Sequence, residues 1–281
     1  MNLDELNEME RELQLQETVE IVKIAEAAKR ETQDVSEQFP SGFSDLDNCM
    51  DGGFREGDFT VVAAIPGEGK TSLMREFTLH FAEKQVPTMW FSFEMTKKEL
   101  WDSFEKMGAS TDLISYVAVD NESDLDWIMN HIKKGVEDFG VRAIFIDTIG
   151  DVSVNKQRKK DAPNHSTLIE MMCKDLRDFG VKNKLMIFAA AHCTKTTRSK
   201  NNETDNSDIA NSNGIPATAT NIFHIWRDNE SDHHSFVKIG KSRRDGTKKG
   251  WKFRFAYKGN RLIAEGRHEE YQGEATWRTI S

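Results

Sequence analysis

The chain has 281 residues, 37% of them hydrophobic and 30% charged, enough apolar content for one large domain or two small ones. Its mean hydropathy is −0.63 and no apolar run approaches the ~20 residues a bilayer span needs, which excludes a membrane protein. A net charge of −9 argues against nucleic-acid binding until its distribution is considered: residues 1–40 hold eleven acidic and four basic residues, net −7, leaving −2 for the other 241.

In chain order, residues 1–36 contain no Gly or Pro and many Glu, Leu, Gln and Ala, which predicts one long helix. Leu3, Leu6, Leu13, Val19, Val22 and Ile24 give it an imperfect apolar stripe. Too acidic to bury itself alone, this linker helix (1–39 with its exit) is expected to dock on a neighbouring subunit; the alternative is a frayed, solvated tail. The start shows neither the basic nor the apolar stretch of a signal peptide. Cys49, Cys173 and Cys193 form no C-x-x-C pair, so a reducing cytoplasm is the expected location.

Pro40 and Gly42 mark the entry into a domain expected over 40–281. Strands are predicted at Phe59–Ile65, Thr88–Phe93, Ala143–Ile146, Leu185–Ala190, Ile222–Trp226 and Phe236–Ile239, with a terminal hairpin at Lys252–Tyr257 and Arg261–Ala264. Helices are predicted at about Thr71–Lys84, Leu125–Phe139 and Leu168–Phe179. Helices alternating with strands imply an α/β fold with a mainly parallel, doubly wound sheet. The polar stretches Val154–Ser166 and Thr194–Gly214 read as long loops, which in a compact domain are functional or mobile.

The sharpest local pattern is Ala64-Ile65-Pro66-Gly67-Glu68-Gly69-Lys70-Thr71, directly after an apolar strand. It follows the phosphate-loop pattern G-x-x-x-x-G-K-[ST], with Ala64 in place of the first Gly. Small residues are required so that backbone N–H groups can converge on a phosphate. Pro66, Gly67, Glu68, Gly69, Lys70, Thr71 and Ser72 are therefore the candidate ATP contacts. Lys70 supplies a point charge at the β/γ phosphates and Thr71 a hydroxyl for Mg2+, while the N-terminus of the next helix adds favourable potential. Asp147 closes the apolar run Ala143-Ile144-Phe145-Ile146 and is the candidate metal carboxylate, with a helix N-cap as its structural alternative. Glu94 closes Trp90-Phe91-Ser92-Phe93; it is a candidate for polarising the attacking water, or else a solvated strand-end carboxylate.

In this order the residues resemble the hexameric replicative DNA helicases of the DnaB type, phage primase-helicases included. The resemblance spans roughly residues 40–265. It is carried by Ser41-Gly42-Phe43-Ser44-Asp45-Leu46-Asp47 with the phosphate loop, Phe91-Ser92-Phe93-Glu94-Met95, Ile144-Phe145-Ile146-Asp147 and Ala189-Ala190-Ala191-His192. It continues in Ser207-Asp208-Ile209-Ala210-Asn211-Ser212, Ile225-Trp226-Arg227-Asp228 and Gly240-Lys241-Ser242-Arg243. The resemblance implies a RecA-like P-loop NTPase domain in which Glu94 is the catalytic glutamate and His192 senses the γ-phosphate. It also implies that Lys241 and Arg243 enter the neighbouring subunit's ATP site, where they stabilise charge on the transferred phosphoryl group. Arg227 and Phe255 fall where the family contacts the base. Asn213, Gly214, Pro216 and Ala210 depart from the family pattern in the loop that would meet DNA. The expected build is a motor domain without collar or primase domain, which by analogy suggests a phage or mobile element in a bacterial host.

A motor on single-stranded DNA needs sequence-blind phosphate contacts. Lys156, Arg158, Lys159 and Lys160, and Lys195, Arg198 and Lys200, lie in the loops after Asp147 and His192, where the family's channel loops lie; the alternative is two solvated surface loops. The expected function is an ATP-dependent helicase, a homo-oligomeric and by resemblance hexameric ring. It would move 5′ to 3′ at a replication fork, with a separate primase, polymerase or loader as possible partners. A RecA-like recombinase or mediator and a non-motor ATP-binding loader are the competing readings.

Overall fold

The computed structural model describes residues 23–24, 37–120, 122–194, 202–210, 214–228, 233–269 and 276–277. Backbone contacts divide the chain into Met1–Glu37 and Gln38–Ser281. Apart from three positions the first unit, and with it the expected linker helix, lies outside the described residues.

In the second unit β1 (Gln38–Phe39) leads to α1 (Ser44–Cys49), β2 (Phe54–Arg55), β3 (Phe59–Ala64) and α2 (Lys70–Glu83). Then come β4 (Thr88–Ser92), α3 (Lys97–Lys106), β5 (Ser115–Val117), α4 (Leu125–Phe139), β6 (Ala143–Asp147), α5 (Lys156–Asp161) and α6 (His165–Lys182). The chain continues through β7 (Met186–His192), α7 (Gly214–Thr218), β8 (Asn221–Arg227), β9 (His234–Ser242), β10 (Lys252–Lys258), β11 (Arg261–Glu269) and β12 (Thr276–Trp277).

Every predicted strand and helix is present, with ends displaced by a few residues. Helix α6 starts three residues before the predicted Leu168 because the Asn164 side chain accepts the Thr167 N–H as an N-cap. The expected loop Val154–Ser166 is corrected: it carries α5, and α6 already begins at His165. Helix α3, not anticipated, opens with a capping box in which Thr96 accepts from the Glu99 N–H and Glu99 accepts from the Thr96 N–H.

Ten strands form one sheet in the order β12-β11-β10-β9-β8-β3-β7-β6-β4-β5. From β5 to β8 all neighbours are parallel; from β8 to β12 all are antiparallel. The sheet is buried on both sides, as alternation along β3 shows. Val62 and Ala64 join a core with Phe77 and Phe81 of α2 and Leu100 and Phe104 of α3. Val61 and Ala63 join another with Ile128 and Ile132 of α4 and Met172 and Leu176 of α6. On the first face Trp90, Phe145 and Phe188 stack across β4, β6 and β7, with centroids 4.9 and 4.7 Å apart. Such aromatic pairs contribute about 0.5–1.5 kcal/mol each beyond area burial and hold the three strands that end at the site in fixed register. No helix among the described residues is long and apolar enough to cross a membrane.

Candidate active site

The parallel register brings four strand ends to one level, the side of such a sheet where ligands bind. Ala64 pairs with His192, and Ser92 with Asp147. Beyond Ala64 the chain turns through Gly67 (φ +82°) and Gly69 (φ +108°), left-handed positions that glycine occupies without steric cost. Gly69 caps α2 and offers no side-chain acceptor, so the first N–H groups of this fourteen-residue helix remain available to an anion.

Lys70 is buried, and its Nζ donates to His192 Nδ1 at 3.1 Å. The same ring donates from Nε2 to Glu94 Oε1 at 2.9 Å, so the geometry assigns the neutral Nε2–H tautomer. Thr71 Oγ1 donates to Asp147 Oδ2 at 2.6 Å. Asp147 is fully buried and its Oδ1 has no hydrogen-bond partner. Burial pushes the Asp147 carboxyl above its ordinary range against the Thr71 hydrogen bond, and burial pushes Lys70 down against the pull of Glu94 and Asp147. A buried carboxylate with an orphaned oxygen beside a threonine hydroxyl suits a hard cation. Among the described residues no group of three or more His, Cys, Asp or Glu converges as metal ligands, so such a cation would complete its shell with phosphate and water oxygens.

Pro66 and Gly67 are exposed, and Ser72 Oγ accepts from Arg75 Nη2 at 3.1 Å. The Glu68 side chain turns out of the loop: Oε2 accepts the Arg227 main-chain N–H at 2.7 Å and Oε1 accepts from Asn202 Nδ2 at 3.0 Å. Arg227 itself is exposed at the end of β8. Phe255 requires a correction. It is 1% exposed, packed edge-on to Phe43 at 5.0 Å, and a ring buried there cannot stack on a base. Tyr257, on the same face of β10 two residues on, reaches the phosphate loop instead. A Cβ on Gly69 would stand 3.5 Å from its Oη, which is buried and lacks a partner. A period of two cannot choose between 255 and 257.

Lys241 and Arg243 lie elsewhere. Ile222 pairs with both Lys241 and Val61, which puts Lys241 about 10 Å back along the strands from Ala64 at about 3.3 Å per residue. The Arg243 N–H bonds to Thr220 O, and the Thr220 N–H to Phe59 O at the start of β3. Lys241 Nζ donates to Pro216 O and Ala217 O, and Arg243 Nη2 to Ala217 O and Thr218 O, at 2.5–3.3 Å. They hold the last carbonyls of α7 and do not reach the phosphate loop of their own chain. Burial, then the adjacent Arg243, lowers the Lys241 pKa.

Lys156, Lys159 and Lys160 are exposed on α5. The Arg158 side chain and Lys195, Arg198 and Lys200 lie outside the described residues. After that segment the chain returns to His192: Thr194 N bonds Asp208 O and Ala210 N bonds His192 O, both at 2.8 Å. Buried His224 anchors the returning arm, its Nδ1 to Thr204 Oγ1 at 2.9 Å and its Nε2 to Asn206 Oδ1 at 2.8 Å. The sequence offered no signal for this network, because its members are scattered over three strands and a loop.

Fold and strand-end geometry together make this a RecA-like P-loop domain. Its likeness is to the DnaB-type replicative helicases: residues 38–114 match the family described as DnaB-like helicase C terminal domain. The chain is 24% identical to the replicative DNA helicase DnaB of Mycoplasma genitalium over 220 residues, 68% of this chain and 46% of that protein. With DnaB of Mycoplasma pneumoniae it shares 24% over 233 residues, 71% and 49% of the two chains. It is 32% identical over 98 residues, 35% of this chain, to 20% of the DNA repair protein RadA of Mycolicibacterium smegmatis. The chain thus spans half or less of the length of these relatives. Among solved structures, the ATPase domain of G40P superposes with a TM-score of 0.72 at 18% identity, over 87% of this chain and 99% of that one. A DnaB-like replicative helicase, described with its interactions with primase, gives 0.70 at 19% identity, over 92% and 71%.

Proposed function

We propose that the chain is the ATPase motor domain of a DnaB-type replicative helicase. One observation supports this most: Lys70, His192 and Glu94 form a hydrogen-bonded line at the same strand ends where Thr71 and Asp147 meet. In this reading the N–H groups of residues 66–72 and Lys70 bind the triphosphate, and Glu94 orients the attacking water and accepts its proton. His192, between Lys70 and Glu94, responds to the γ-phosphate and passes its position to the loop bridged at 208–210. Asp147 and Thr71 would hold Mg2+, which supplies charge neutralisation to the phosphates when bound. Tyr257 and Arg227 flank the base.

Lys241 and Arg243 act from a neighbouring copy, and their own chain's geometry favours this because both stand at the far end of the sheet. Single-stranded DNA is tracked through its phosphates by the lysines of α5 and by the loop after His192, in a homo-oligomeric ring in the cytoplasm. The test is ATP-dependent unwinding of a forked DNA with a 5′ tail, with Lys70→Ala as the blank. Strand release lost in the variant is the expected result; filaments on DNA without release would overturn it. That outcome would favour a recombination ATPase, a reading that the 98-residue likeness to a DNA repair protein keeps in play.

A further inference from the structure

Glu68 is an unusual side chain to place in a phosphate loop. A carboxylate two residues before Lys70 opposes an incoming polyphosphate unless its charge is tied elsewhere. Here both of its oxygens are tied outside the loop, one to the end of β8 through the Arg227 N–H and the other to Asn202. Asn202 has φ +55°, a left-handed conformation that asparagine tolerates better than most residues.

The residues after Asn202 are fixed to the sheet. Glu203 takes Lys238 and Lys252 at 2.8 and 2.9 Å, and Asp205 takes Lys238 at 2.7 Å. Asn206 accepts from or donates to His224 according to tautomer and donates to Gly240 O at 3.0 Å. A Cβ at Gly240 would stand 2.5 Å from Asn206 Oδ1, so the close approach of arm and strand requires glycine. From 203 on, the arm is anchored to β8, β9 and β10; at 202 it is held by the phosphate loop.

We propose that Glu68 is a positioning residue that couples occupancy of the phosphate loop to the arm 202–210 and to the end of β8. When phosphate enters, residues 66–70 adjust around it, and the Glu68 carboxylate carries Asn202 and the Arg227 main chain with them. The arm pairs with His192–Thr194, so this route runs in parallel with the one through the His192 ring. The inference rests on the ATPase reading and deepens it.

The test is binding of a single-stranded oligothymidylate to the full chain, with and without a saturating non-hydrolysable ATP analogue and Mg2+. Wild type is expected to show a nucleotide-dependent shift in DNA affinity in the range of about 5–150-fold usual for coupled sites. Glu68→Ala and Asn202→Ala are each expected to bring that ratio towards one, Glu68→Gln to retain part of it, and the double variant to go no further than the singles, since one contact is removed twice. A merely structural role would lower the melting temperature or nucleotide affinity and leave the ratio intact. Wild-type ratios in both single variants, or additive losses, overturn the inference while leaving the helicase reading in place. If Glu68→Ala fails to fold, Asn202→Ala decides by itself. No DNA binding by wild type under either condition overturns both.

Discussion

The two ends of the sheet carry opposite electrostatic situations. At the carboxyl ends of the parallel strands, Asp147 is buried with an unpartnered oxygen, Lys70 is buried against a neutral ring, and α2 starts without a side-chain cap. At the other end Lys241 and Arg243 rest on the neutral carbonyls of α7, a comfortable site for cations at a helix C-terminus. One end is short of an anion and a cation; the other holds two cations that no carboxylate neutralises within hydrogen-bond reach. The difference teaches how a sheet can carry complementary halves of one site where they cannot meet within a chain. A second copy is then the simplest way to join them.

The largest expected effect comes from the cationic end. Arg243→Ala should lower DNA-stimulated ATP turnover by about 10³-fold or more, the scale of an arginine finger, and change folding stability by less than about 1.5 kcal/mol, because only hydrogen bonds to neutral carbonyls are lost. Turnover assays beside urea unfolding check both; a large stability loss would mean that Arg243 is a structural cap. At the opposite end Glu94→Gln should lower turnover by about 10²–10³-fold with nucleotide still bound, as expected for loss of a proton acceptor. Retained turnover would return Glu94 to the role of a solvated strand-end carboxylate.

A third effect concerns the network that pins the arm beside the site. Burial, and then Lys238, pushes the His224 imidazole from 6.5 down to about 3. Between those values the unfolded chain takes up a proton that the folded chain refuses. Stability therefore falls as pH drops below about 6.5, by about 1.4 kcal/mol per pH unit and roughly 2 kcal/mol at pH 5. Urea unfolding at the two pH values measures it, and His224→Gln should remove that share of the difference. The smallest effect is at Tyr257: its buried hydroxyl has no partner, so Tyr257→Phe should leave stability within about 1 kcal/mol of wild type or raise it. A higher ATP requirement in that variant would place the hydroxyl on the nucleotide.

The carboxyl-end cluster was legible in the sequence because each member closes an apolar strand, and parallel strands of known order bring such ends together. Phe255 misled because it shares a strand face with Tyr257, and only the packing of Phe43 against β10 separates them. Helix α3 was readable in principle from Thr96-Lys97-Lys98-Glu99, a capping box. Helix α5 was not, since six mostly charged residues carry no apolar period. Glu68 looked like one more member of the phosphate loop, because a motif records the backbone's task and says nothing of where a side chain in it turns. The His224 network joins positions 204, 206, 224 and 240, whose separation in sequence hides their contact.

The most direct measurement mixes two inactive chains. Lys70→Ala keeps Arg243 but has no working phosphate loop, while Arg243→Ala keeps the loop but lacks the cation. If the site is completed between copies, co-assembly of the two variants should restore DNA-stimulated ATP turnover well above the sum of the separate proteins. Turnover equal to that sum, in mixtures shown to co-assemble, would contradict the account.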